Sequence, residues 1–257
     1  MKHSITTLLL ALAINIVFAS STLAQERKEG DDKAMSQMVK IRQNFLNLPK
    51  KQREEYSKIL VKVQNLFNQK RIFDALEMID VLDKIFPNHP AALNIKGACY
   101  VEIRAFKKAN AIFRQVLEMS PNNTNVQFNL AEVDFVTKNW ATAHDRFTKL
   151  IPLLPAQNKS MIRLCEFKLL LCQLKTDRAK EAAALKGKHD AWDDSPFFYY
   201  ARAAILYNDD DKLGAEKMLR NVRYVWRNDA ALAAWKDTLI EFGYIRSFYG
   251  GDAEDAE

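Results

Sequence analysis

Residues 106–123 read FKKANAIFRQVLEMSPNN: an aromatic residue, then Ala109, Phe113 and Val116 at helical spacing, and Pro121 just past the end. Apolar residues three and four apart line one face of a helix, and the proline stops it. The pattern stands 34 residues earlier, over 73–87, with Ala75, Ile79, Leu82 and Pro87 in register. It returns 34 residues later with Trp140, Ala143, Phe147, Leu150 and Pro155. A fixed period of this length marks a helical repeat array, in which each unit buries its apolar face against its neighbours.

Working outward, each of these helices has a partner before it. The spacing predicts helices over 49–68, 90–104 and 125–137, followed by second helices over 73–86, 106–119 and 140–153. Gly97 and Ala131, again 34 apart, put a small side chain where partners cross. Glycine inside a helix costs about 1 kcal/mol against alanine, so close packing is the natural reason for Gly97. After Pro155 the register slips. A longer, nearly all-apolar helix is expected over 158–175, then one over 178–188 capped by Asp177. A further pair covers 196–207 and 213–226, with Ala203 and Ala215 twelve apart like Gly97 and Ala109. A last helix over 229–242 would cover the open end of the stack, as solenoids require.

The small residues Gly97 and Ala131 in the first helices, the aromatic-x-x-Ala openings at Phe106 and Trp140 and the closing prolines Pro87, Pro121 and Pro155 resemble the tetratricopeptide repeat. The resemblance covers residues 56–155; it departs where the family's tryptophan would stand, at Ile59, Leu93 and Gln127. It implies an all-α, right-handed superhelical solenoid of helix-turn-helix repeats with a C-terminal capping helix. It also implies an inner groove lined by first helices, here Leu60, Gln64, Phe67, Asn94, Ala98, Val101, Phe128, Glu132 and Phe135. Members that grip an acidic C-terminal tail do so with basic residues and asparagine. Leu60 and Gln64 stand in those places, so the groove is expected to take an apolar helix or peptide instead.

The ends of the chain carry other signals. Residues 1–24 read as a signal peptide: a short basic start, an apolar run from Ile5 to Phe18, and small residues before a cut after Ala24. That run is shorter than the roughly 20 residues a membrane span needs, so the mature chain is expected to be periplasmic or secreted. No membrane span is expected in it, and contact with a membrane surface stays open. Residues 25–48 read as a charged flexible leader with a short helix near 39–48, residues 49–245 as the repeat domain, and 246–257 as an acidic tail. Cys99, Cys165 and Cys172 sit in apolar helical stretches and are expected to be buried thiols.

No metal-spaced His or Cys pair, phosphate loop or Ser/His/Asp arrangement is present, so neither catalysis nor a cofactor or metal site is expected. Two Asn-x-Ser/Thr triplets, at Asn122 and Asn158, fall at turns that favour Asn anyway. The formal net charge of +6 and pI near 9.1 raise the question of nucleic acid. The cations concentrate in one stripe, Lys217, Arg220, Arg223 and Arg227, opposite an apolar face of Ala215, Leu219, Val222 and Trp226. An RNA-reading array would run at 35 residues and would not be exported, so the stripe reads as a solvated face or a dock for an anionic partner. The expected function is a non-catalytic protein-interaction scaffold in the bacterial envelope. The alternative is an accessory factor for outer-membrane, pilus or secretion assembly. Neither partner identity nor oligomeric state is legible.

Overall fold

The computed structural model describes residues 29–246; the expected signal peptide and the acidic residues of the tail lie outside the described residues. Among the described residues there are twelve α-helices and no strand, and the fold is an all-α helical-repeat solenoid. The helices form two compact units, one up to Val133 and one from Asp134. The first holds α1 (Glu29–Leu46), α2 (Lys50–Asn68), α3 (Ile72–Ile85), α4 (Pro90–Glu102), α5 (Phe106–Met119) and most of α6 (Thr124–Val136). The second holds the end of α6, α7 (Trp140–Leu150), a 3-10 turn (Ile151–Leu153), α8 (Lys159–Lys175), α9 (Ala179–Gly187), α10 (Phe197–Asn208), α11 (Lys212–Val225) and α12 (Asp229–Phe242).

Five helix pairs share one turn. Lys70, Arg104, Lys138, Asp177 and Asp210 follow a first helix, each with a positive φ between 56° and 63°. This left-handed residue lets the next amide reach back over the helix end. Arg71, Ala105, Asn139, Arg178 and Asp211 donate to the carbonyls of Leu66, Tyr100, Asp134, Gln173 and Leu206 at 2.8–3.0 Å. That is the Schellman closure of a helix, made here without glycine. The expected cap at Asp177 is corrected by the same geometry. Asp177 is the left-handed turn residue, and Arg178 takes the N-cap position of α9 without a side-chain bond.

The 34-residue register holds in the packing. Ala75, Ala109 and Ala143 are fully buried, as are Ile79, Phe113 and Phe147. Leu82, Val116 and Leu150 complete the same face at 1 % exposure or less. At the crossing of α4 with α5, a Cβ on Gly97 would collide with the ring of Phe113. In the first unit α1 runs longer than the helix expected over 39–48. Its Phe45 packs edge-on against Tyr56 and Phe86, with ring centroids 5.2 and 5.3 Å apart. All three cysteines are buried, and burial pushes the Cys99 thiol up to about 12.

Candidate interaction surfaces

The first helices do not offer the exposed apolar groove their spacing suggests. Leu60, Phe67, Val101, Phe128 and Phe135 are all at 5 % exposure or less, and Ala98 and Glu132 are buried too. Only Gln64 and Asn94 of that set are half-exposed. The cause lies in the helices themselves. In α4, Ala92, Leu93, Ile95, Gly97, Ala98, Cys99 and Val101 are all buried, on every side of the helix. A helix that is apolar all round is covered all round. The polar groups left there bond to each other: Asn129 Nδ2 donates to Asn94 Oδ1 at 3.0 Å, and Gln64 Nε2 to Asn68 Oδ1 at 3.0 Å.

In the second unit α12 seats itself across first helices, where its position in the chain suggested the open end of the stack. Trp235 packs against Phe167 of α8 at 5.4 Å and Tyr200 of α10 at 5.6 Å. Phe242 stacks on Phe135 at 6.1 Å and meets Trp140 at 5.1 Å. The Lys168 ammonium, itself buried, stands 4.5 Å from the centre of the Phe135 ring and 3.8 Å from Glu241. Aromatic pairs of this kind add to what area burial contributes.

The second unit also contains an ionic cluster that apolar periodicity could not reveal. Glu166, on the run expected to be almost entirely apolar, is 2 % exposed. It accepts bonds from Arg163 at 3.1 Å and Lys188 at 2.6 Å, and pairs with His189 at 2.8 Å. Arg163 also grips Asp193 through Nε and Nη2, at 3.0 and 2.9 Å. Burial pushes the Asp193 carboxyl up, but bonds from Arg163 and Ser195 outweigh it and hold the group below its ordinary range. The cluster pins the loop that carries Trp192, whose side chain is 91 % exposed. Its acids and histidine are spent on cations and on each other, which makes it a structural clamp. Among the described residues no group of three His, Cys, Asp or Glu could hold a metal ion.

The basic stripe is where the sequence places it. Lys217, Arg220, Arg223 and Arg227 are exposed on or just beyond α11. Ala215 and Val222 are buried beneath them, with Leu219 and Trp226 half-buried. Leu213 and Tyr224, each 79 % exposed, lie on the same outer face. Leu213, Lys217, Arg220 and Tyr224 fall at successive four- and three-residue steps, so they form one line along α11, and Arg227 follows just past the end of the helix. Beside that line Glu216 stands 4.0 Å from Arg220. An exposed pair at that distance contributes little. The surface is therefore cationic with an apolar contact at either end. No helix among the described residues is long and apolar enough to cross a membrane.

No family model and no curated protein matches the chain. Among solved structures it is similar to one described as a functional characterization of Pseudomonas aeruginosa PilF, a protein that contains tetratricopeptide repeats. The two share 14% sequence identity over 76% of this chain and 94% of that one, with a TM-score of 0.53. This likeness shows a common fold.

Proposed function

We propose that this chain, whose fold is of the tetratricopeptide type, is a non-catalytic scaffold that docks an acidic segment of a protein partner on the outer face of α11. The observation that carries the reading is the set of exposed cations Lys217, Arg220, Arg223 and Arg227, with exposed Leu213 and Tyr224 among them. Arginine and tyrosine are the residue types that anchor interfaces. The buried inner aromatics belong to the core, which leaves Gln64 and Asn94 as the inner positions able to meet a partner. The leader-like sequence over 1–24 supports placing the scaffold in the bacterial envelope. Likeness to PilF favours a second, narrower reading, an accessory role in pilus or secretion assembly.

A photocrosslinking residue placed singly at Lys217, Tyr224, Gln64 and Asn94 tests the docking face in cells. Protein adducts are expected from positions 217 and 224 and are expected to vanish when Arg220→Glu and Arg223→Glu are added. Adducts from positions 64 and 94 alone would move the site back to the first helices.

A further inference from the structure

We propose that in the free protein the acidic residues 252–257 dock on the cationic face of α11, so that an acidic partner must displace them. The idea builds on that face as the binding surface, but it concerns what occupies the face beforehand.

The exit of the chain from α12 supplies the geometry. Gly243, at φ 93°, turns the backbone, and the Tyr244 amide closes on Leu239 O at 3.0 Å. The Tyr244 ring then stacks on Tyr207 at 5.4 Å, and its hydroxyl donates to Asn208 Oδ1 at 3.4 Å. Tyr207 and Asn208 are the last residues of α10, and α11 begins at Lys212. The chain thus leaves beside the start of α11.

Reach and charge order then agree. At 1.5 Å per residue, α11 from Leu213 to Val225 is about 18 Å long, and Arg227 lies just past its end. An extended chain covers about 3.3–3.6 Å per residue. Asp252 can therefore stand roughly 20 Å from Arg246, and Glu257 nearly twice as far. The first residues after Arg246, Ser-Phe-Tyr-Gly-Gly, are uncharged, and the acids follow at Asp252, Glu254, Asp255 and Glu257. Exposed Asp209, Asp210 and Asp211 crowd the start of α11. An uncharged spacer passes that acidic corner without repulsion and delivers four carboxylates to four cations. Tethering gives such a segment a high effective concentration, while exposed ion pairs keep it displaceable.

A nitroxide on Ala253→Cys in the full-length protein reads the contact, because the native thiols are buried. At about 50 mM salt the amides of α11 near Lys217–Arg227 should broaden, and at about 500 mM they should recover as screening rises. Unaffected α11 amides at low salt would overturn the proposal. So would broadening that persists when the nitroxide and the isotope are carried by separate copies, which would place the segment on a second copy. A glutamate decamer separates this proposal from the docking reading. Neutralising the segment (Asp252→Asn, Glu254→Gln, Asp255→Asn, Glu257→Gln) should tighten decamer binding about tenfold. Arg220→Glu with Arg223→Glu should remove both the binding and the broadening. Equal decamer affinity with and without the neutralised segment would sink the proposal and leave the docking face standing. Decamer binding that survives charge reversal would sink both.

Discussion

Lys70, Arg104 and Lys138 occupy backbone positions that suit glycine. Their φ values lie near 60°, where an L side chain crowds the following carbonyl at a cost of about 1–2 kcal/mol. Glycine avoids that cost but loses about 0.5–1 kcal/mol more chain freedom on folding. Lys138 is exposed, so Lys138→Gly should raise stability by roughly 0.5 kcal/mol in denaturant melts. A loss would mean the turn is not left-handed there. Gly97 is the opposite case, since any side chain there meets the Phe113 ring. Gly97→Leu should cost at least about 1–3 kcal/mol by overpacking, and unchanged melting would contradict the register. Ala75, Ala109 and Ala143 were legible because a small residue in a helix leaves a trace at fixed spacing. The turn residues were not, because lysine, arginine and aspartate carry no common turn signature; only the geometry unites them.

The N-terminus of α4 couples packing to pH. His89 caps that helix, its Nδ1 accepting from the Ala91 amide at 3.3 Å, and its ring lies 5.2 Å from both Phe45 and Tyr56. Only a neutral ring can accept that bond. Burial holds its pKa down to about 4, from an ordinary 6.5. Between those values the unfolded chain binds the proton and the folded chain does not. Stability is therefore full above about pH 6.5 and is lost as the pH falls toward 4, by up to roughly 3 kcal/mol at about 1.36 kcal/mol per pKa unit. His89→Asn keeps a capping acceptor and removes the titration. Its stability should vary less across that window, and an undiminished slope would assign the pH dependence elsewhere. Helix positions were readable to within a few residues, but the surroundings of each helix were not. Spacing shows which face of α4 meets α5, yet says nothing about what covers the other side. It likewise placed α12 last in order without showing that Trp235 would turn onto Phe167 and Tyr200. Trp235→Ala should cost about 3–5 kcal/mol, a loss that a helix merely resting on the end of the stack would not produce.

Across the whole molecule, burial and charge sort the candidate surfaces. The aromatic residues expected to greet a partner are inside, and the cations of the α11 stripe are exposed. Periodicity found both sets but ranked them by residue type, since a phenylalanine in a sequence looks the same whether its neighbours cover it or not. The docking proposed for α11 rests on charge, so partner capture there should weaken as the Debye length falls with added salt. The most direct measurement compares two double variants by thermal and denaturant melting. Phe128→Ser with Phe135→Ser removes two buried rings and should cost several kcal/mol, on the order of 3–5 for each ring, or prevent folding altogether. Arg220→Glu with Arg223→Glu changes exposed residues and should leave stability within about 0.5 kcal/mol. A phenylalanine pair that can be replaced without loss, beside an arginine pair that the fold requires, would contradict the account.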